Sequence, residues 1–257
     1  MISVRPVRAF SDNYIWLLEN AEGQCAVVDP GDAAPVSAEL QARGLTLCAI
    51  LVTHHHFDHT GGVAALASHW NCPVFAPENP VIDAVTQRVT EGDEVEVLGC
   101  RFRVIAVPGH TLDHIAYFQA GEPSTLFCGD TLFAGGCGRV FEGTFPMMHE
   151  SLQRLAALPD NTRVYCAHEY TLANLAFARA VEPDNQALAD RVAQARAARE
   201  RDEPTVPSLL QTERETNPFL RCTEDTVIRG LEGSGRVVDA SPQSCFAALR
   251  QWKDNFQ

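Results

Sequence analysis

Short apolar runs, many of them β-branched and bounded by Gly, Pro or Asp, recur through the first two thirds of the chain, at residues 15–18, 25–28, 49–52, 73–75, 94–97, 102–107, 115–118, 125–127 and 163–166. Their brevity and their turn-forming flanks predict strands. Between them, residues 36–43, 62–69 and 149–157 are helix-like, so the pattern predicts an α/β (α+β) unit that mixes sheet and helix rather than an all-β one. After Ala167 the texture changes: residues 172–181, 186–201 and 244–255 are rich in Ala, Arg and Leu and predict helices, with a Pro-rich elbow at 203–207. Two domains are expected, 1–168 and a helical 169–257. No internal repeat or low-complexity tract interrupts them.

Composition narrows the classes. With 46% of its 257 residues hydrophobic and 21% charged, the chain carries enough apolar mass for one large core and a small appendage. A formal net charge of -13 repels polyanions, and no concentrated basic patch offsets it, so no nucleic acid partner is expected. An anionic substrate would have to be met by a few local Arg or Lys residues. The nine cysteines are odd in number, scattered and never spaced as C-x-x-C, which argues against a disulfide framework and against a thiolate zinc site, and for a reducing compartment. No signal-like apolar core stands near the start, and no run approaches the ~18 apolar residues of a membrane span, so a cytoplasmic protein with no membrane partner is expected.

The strongest chemical signal is Thr53-His54-His55-His56-Phe57-Asp58-His59, directly after the apolar run 49–52. In an extended chain, side chains two apart point the same way, so His54 and His56 face one point while Asp58 and His59 continue around it. Imidazole and carboxylate without thiolate suit zinc, iron or manganese. An internal, strand-anchored tract interrupted by Asp is a poor match for a surface His-rich loop.

Three further candidate ligands sit where other apolar runs end: His110 after Pro108-Gly109, Asp130 after Gly129, and His168 after Ala167. Each alone reads as a turn residue or a helix cap. Together they place donors at the ends of several strands, the way a sheet builds a rigid site on its rim. Five His and two Asp suffice for two four-coordinate metals if one carboxylate bridges them. His55, His69 and His149 are expected to be structural or solvent-facing, and His114 is a candidate to hold a ligating ring in place.

T-H-x-H-x-D-H resembles the signature of the metallo-β-lactamase superfamily. Pro108-Gly109-His110-Thr111, Gly129-Asp130-Thr131-Leu132-Phe133, Ala167-His168-Glu169-Tyr170-Thr171 and Ser11-Asp12-Asn13-Tyr14 resemble the versions of its motifs found in the glyoxalase II family. The resemblance implies an αββα sandwich with a C-terminal helical domain. It implies one metal on His54, His56 and His110, a second on Asp58, His59 and His168, and Asp130 between them, with zinc the expected metal and iron or manganese admitted. The glycine-rich stretch 135–143, by itself a plain connector, resembles the loop with which that family grips glutathione. Residues 248–254, by themselves a solvated helix face with Arg250 and Lys253 three apart, resemble the segment that meets the carboxylates of glutathione. The implied substrate contacts are Arg139, Phe141, Tyr170, Arg250 and Lys253. Phe141 stands where some members have Tyr, Arg139 where others have Lys, and Phe57 where His is frequent; none of these removes a catalytic group.

What the resemblance implies for function is hydrolysis of S-(2-hydroxyacyl)glutathione, typified by S-D-lactoylglutathione, by a metal-bridging hydroxide that Asp58 orients, the second step of glutathione-dependent methylglyoxal detoxification by a monomer. Because the superfamily hosts several chemistries, rivals follow from the same motifs. A persulfide dioxygenase with one iron would use a subset of these donors, and the complete set with the helical tail favours the hydrolase. A nuclease or phosphodiesterase fits poorly with the acidic charge. A non-catalytic module that keeps metal as a staple has no need of two ions. No G-x-S-x-G elbow offers a serine nucleophile.

Overall fold

The structure, a computed structural model, describes residues 2–236, 239 and 241–256. The chain forms two compact units, Met1–Ala106 with Asp113–Gly129, and Val107–Leu112 with Asp130–Gln257. Both are discontinuous in sequence.

The first unit opens with β1 (Ser3–Ala9), β2 (Asn13–Glu19) and β3 (Gln24–Val28), continues through helix α1 (Ala33–Arg43), β4 (Thr46–Leu51), the single turn α2 (Phe57–Thr60) and α3 (Val63–Trp70), and adds β5 (Val74–Ala76) and β6 (Gln87–Arg88). These six strands form a mixed sheet in sequence order, antiparallel from β1 to β3 and parallel from β3 to β6. β2 and β3 are buried almost throughout, which is why they read as continuous apolar runs: both faces of the sheet are covered. On one face lie α1 and α3, whose Val36, Leu40, Val63 and Leu66 pack into a core with Val7, Ile15, Leu17, Val27 and Ile50. Asp32 caps the start of α1 by accepting from the Ala34 N–H, and Gly44, in the left-handed region, ends it. The second antiparallel run, β7 (Glu94–Val97), β8 (Cys100–Ala106), β9 (Ile115–Gln119) and β10 (Thr125–Gly129), is linked to the first sheet by the buried Tyr117 hydroxyl, 3.0 Å from the Val52 carbonyl and 3.1 Å from that of Phe75.

The second unit contains the small hairpin β11 (Leu132–Phe133) and β12 (Gly136–Cys137), helix α4 (Phe145–Ala156), β13 (Arg163–Cys166), α5 (Thr171–Val181), α6 (Gln186–Glu200), β14 (Ser208–Leu209), α7 (Leu210–Thr216), a 3-10 turn at Pro218–Leu220, α8 (Asp225–Gly233) and α9 (Pro242–Asp254). Its core is aromatic: Phe177 stands 5.8 Å from Phe219 and 5.3 Å from Trp252 between ring centroids, and Phe246 lies 5.7 Å from Phe219. α9 buries Cys245, Phe246, Leu249 and Arg250, one face at helical spacing, and starts at Ser241, whose hydroxyl caps the Ser244 N–H. No disulfide joins the nine cysteines. Among the described residues, no helix is long and apolar enough to cross a membrane.

Candidate metal centre

β3 and β4 run parallel, so their carboxyl ends lie side by side; Asp29 directly follows β3, and Thr53 follows β4 after Val52. At the end of β3 stands Asp29, a buried carboxylate whose backbone is held in the left-handed region at φ 54°, an uncommon conformation for a non-glycine residue that concentrates at functional positions. Its Oδ1 accepts from the Thr53 N–H at 2.7 Å; its Oδ2 accepts from the Thr53 hydroxyl at 2.7 Å and faces His59 Nδ1 at 3.1 Å. One carboxylate thus orients the whole start of the His tract.

The tract departs from the extended conformation that its spacing predicts. Only residues 53–56 are non-helical; Asp58 and His59 lie on the turn α2, which begins after His56 at φ -58° and ψ 145°. The ligand-type side chains still gather: the His54 ring lies 4.8 Å from that of His56 and 4.1 Å from that of His59. Asp58 Oδ2 lies 3.5 Å from His59 Nε2 and accepts from the Asn13 amide at 3.0 Å. His55 turns to Asp113, 2.9 Å from Nδ1 to Oδ1, and His114 stacks on His54 at 4.5 Å.

In the second unit, His110, Asp130 and His168, all buried, come together. The Asp130 carboxylate stands between the two imidazoles, Oδ2 3.4 Å from His110 Nε2 and Oδ1 3.4 Å from His168 Nε2. Two donors that each lie ~2.1 Å from a tetrahedral ion are about 3.4 Å apart, so each oxygen of Asp130 has the spacing of a ligand that shares an ion with the imidazole it faces. Gly138 returns over the main chain of Asp130 so closely that a Cβ there would lie 1.9 Å from the Asp130 carbonyl oxygen.

The protonation of the rings follows from their partners. A carbonyl or carboxylate oxygen only accepts, so His110 Nδ1, 2.7 Å from the Arg139 carbonyl, and His59 Nδ1 at Asp29 each carry the proton. The Thr53 hydroxyl already donates to Asp29 and therefore accepts from His54 Nδ1 at 3.1 Å. With Nδ1 protonated, each ring in its neutral form would present the Nε2 lone pair, the form in which a cation takes imidazole. Imidazole and carboxylate donors of this kind fit divalent metal.

Of the expected substrate contacts, Phe141 lies beside His110, 5.3 Å between centroids, and Tyr170 stacks on His168 at 4.7 Å. Arg139 is 3.4 Å from the Asp254 carboxylate and largely exposed. Arg250 and Lys253 are not a solvated face. Arg250 is buried, donates to the Cys137 carbonyl at 2.9 Å and pairs with Asp254 at 2.9 Å; the Lys253 ammonium donates to the Ala173 carbonyl at 3.1 Å. Burial, with the Arg250 charge beside it, lowers the Lys253 pKa below the ordinary 10.5. Asp29 escaped the sequence reading although it carries the same signal as the others, a polar residue where the apolar run 25–28 ends.

Residues 9–168 match the family model described as the metallo-beta-lactamase superfamily, and fold and donors together define a protein of that superfamily. Residues 169–256 match the hydroxyacylglutathione hydrolase C-terminus. Over 257 residues, all of both chains, the sequence is 54% identical to a protein of Chromohalobacter salexigens named hydroxyacylglutathione hydrolase. The chain therefore belongs to the hydroxyacylglutathione hydrolase family. Among solved structures, ETHE1 from Myxococcus xanthus superposes with a TM-score of 0.65 at 25% identity and covers 100% of each chain. A di-iron-bound form of the protein TTHA1623 superposes with a TM-score of 0.55 at 31% identity, covering 64% of this chain and 91% of that one.

Asp29→Ala is expected to lower bound metal and turnover about 10- to 100-fold, the usual cost of losing a partner that orients metal ligands. Metal-to-protein ratios and circular dichroism check it; a folded variant with wild-type metal content would remove this role.

Proposed function

We propose that the chain is a binuclear metal-dependent thioester hydrolase that cleaves S-(2-hydroxyacyl)glutathione, typified by S-D-lactoylglutathione, to glutathione and a 2-hydroxy acid such as D-lactate, the second step of glutathione-dependent methylglyoxal detoxification. The observation that carries this reading, beside family membership, is the Asp130 carboxylate with one oxygen toward His110 and the other toward His168. In this reading His54, His56 and His110 hold one divalent ion, Asp58, His59 and His168 hold the other, and Asp130 serves both, with zinc expected and iron or manganese accepted by the same donors. When bound, the ions supply acidity to water and stabilise negative charge that develops on a carbonyl oxygen.

The chain's own residues do the rest. Asp58, held by the Asn13 amide, accepts a hydrogen bond from the attacking water and aims it at the thioester carbon. Arg139, Phe141, Tyr170, Arg250 and Lys253 bind the glutathione part, and the cations among them provide local attraction for its carboxylates on a chain of net charge -13. No protein nucleophile is needed. Burial pushes the thiols of Cys25 and Cys166 up to about 12 and that of Cys137 up to about 11, so near neutral pH they are protonated and weakly nucleophilic. The reading makes 1–168 the catalytic domain and 169–257 the substrate-binding domain of a cytoplasmic monomer.

The test pairs metal analysis of the purified protein with loss of thioester absorbance on lactoylglutathione. Two ions per chain, activity lost to a chelator and restored by metal are expected. Full activity in metal-free protein would overturn the reading.

A further inference from the structure

Five consecutive residues of the β11–β12 hairpin have their main chain held by side chains from the helical part of the second unit. Asn217 Nδ2 donates to the carbonyls of Phe133 at 3.3 Å and Gly136 at 2.9 Å, and Asn174 Nδ2 donates to that of Ala134 at 3.2 Å. Glu213 Oε2 accepts from the Gly135 N–H at 2.8 Å, and Arg250 donates to the Cys137 carbonyl. Behind this row, the fully buried Glu213 is paired with Arg191, which donates to the Thr216 hydroxyl at 2.6 Å, while Asn217 Nδ2 lies 3.2 Å from Glu213 Oε2. Gly135 sits in the left-handed region, and a Cβ there would lie 2.8 Å from a Leu175 methyl, so the turn is seated hard against α5.

A hairpin joined only through Leu132 with Cys137 and Phe133 with Gly136 is too short to keep its own shape. Its conformation is decided by the side chains that grip it, and buried main-chain groups without such partners would be costly. The hairpin runs directly into residues 138–143, which carry Arg139 and Phe141.

We propose that Asn217 and Glu213 are positioning residues that, through the 133–137 hairpin, set the 138–143 loop in place to receive the glutathione moiety. This rests on the substrate reading above. Neither residue belongs to the proposed metal or substrate contacts; they act through the main chain of the loop.

The variant to make is Asn217→Ala, which leaves the Glu213–Arg191 pair intact. For lactoylglutathione, KM is expected to rise about tenfold, the worth of one misplaced charge-assisted contact, with kcat within about twofold of wild type. On a small uncharged thioester, kcat/KM falls less than on lactoylglutathione, what loss there is coming through the Arg139 carbonyl that holds His110. Amide hydrogen exchange accelerates across 133–143 and not across β2 to β4. If Asn217→Ala does not fold, Asn174→Ala, which removes one hydrogen bond to the same turn, shows the same split at smaller amplitude. Equal losses on both thioesters, or wild-type exchange across 133–143 in a folded variant, overturn the proposal. A wild-type protein inert toward lactoylglutathione defeats the substrate reading, while the exchange measurement still decides whether Asn217 sets the loop.

Discussion

Asp130→Ala is expected to lower turnover of lactoylglutathione by at least about a thousandfold and to deplete both metal ions together. The carboxylate is buried, with one oxygen 3.4 Å from His110 Nε2 and the other 3.4 Å from His168 Nε2, and in the proposed ligand assignment those imidazoles belong to different ions. Removing Asp130 therefore takes a donor from each site in that assignment, and with it the charge that would balance the cations. Metal-assisted charge stabilisation contributes several kcal/mol to reactions of this type, and about 4 kcal/mol is a thousandfold in rate. His168→Ala, by contrast, removes a donor from one site only. The comparison is metal stoichiometry and kcat/KM for the two variants, with circular dichroism to show that each is folded. An Asp130→Ala protein that retains one ion at full occupancy would mean that this carboxylate serves a single site.

Lys253→Ala is expected to raise KM for lactoylglutathione about 10- to 150-fold while kcat barely changes, the range given by a charge-assisted contact of roughly 1.5 to 3 kcal/mol. A contact equal in ground and transition states acts on KM alone. The ammonium donates to the Ala173 carbonyl and lies 5.5 Å from the centre of the Phe177 ring, so it is tethered rather than waving in solvent. Burial lowers its pKa, and the sign of the pH effect follows: the charge is lost as pH rises through that lowered value, so affinity falls on the alkaline side earlier than for an exposed lysine, and Lys253→Ala lacks this limb. Added salt weakens wild type more than the variant. A small uncharged thioester is indifferent to the change. Equal loss on both substrates would make Lys253 a structural residue and remove the main support for glutathione recognition by α9.

The alternation of short apolar runs was sufficient to locate most strands, because a buried sheet demands apolar side chains wherever its faces are covered. β1 escaped, since Ser3–Ala9 mixes Val with Arg and contains Pro6; it is an edge strand with a single neighbour, where Pro and charge are tolerated. α7 escaped because its sequence is polar, and Glu213 and Thr216 are buried in it by partners distant in the chain. The same division holds at the site. His54, His56, Asp58, His59, His110, Asp130 and His168 were legible as candidate donors because they follow apolar runs, and the end of such a run is a local property. That Asp58 and His59 lie on a helical turn was not, since a four-residue turn is too short to show a helical period.

Local polarity and spacing thus settle the strand pattern, the donor-type residues and the apolar runs that they follow. Long-range packing is what makes Asp29 orient His59 and Thr53, buries Arg250 against the Cys137 carbonyl, and closes Glu213 and Asn217 on the hairpin before the glycine-rich loop. The physical reason is the same in each case: a buried polar group is stable only with a matching partner, and here the partner lies 24 or more residues away, where no local pattern in the chain records it.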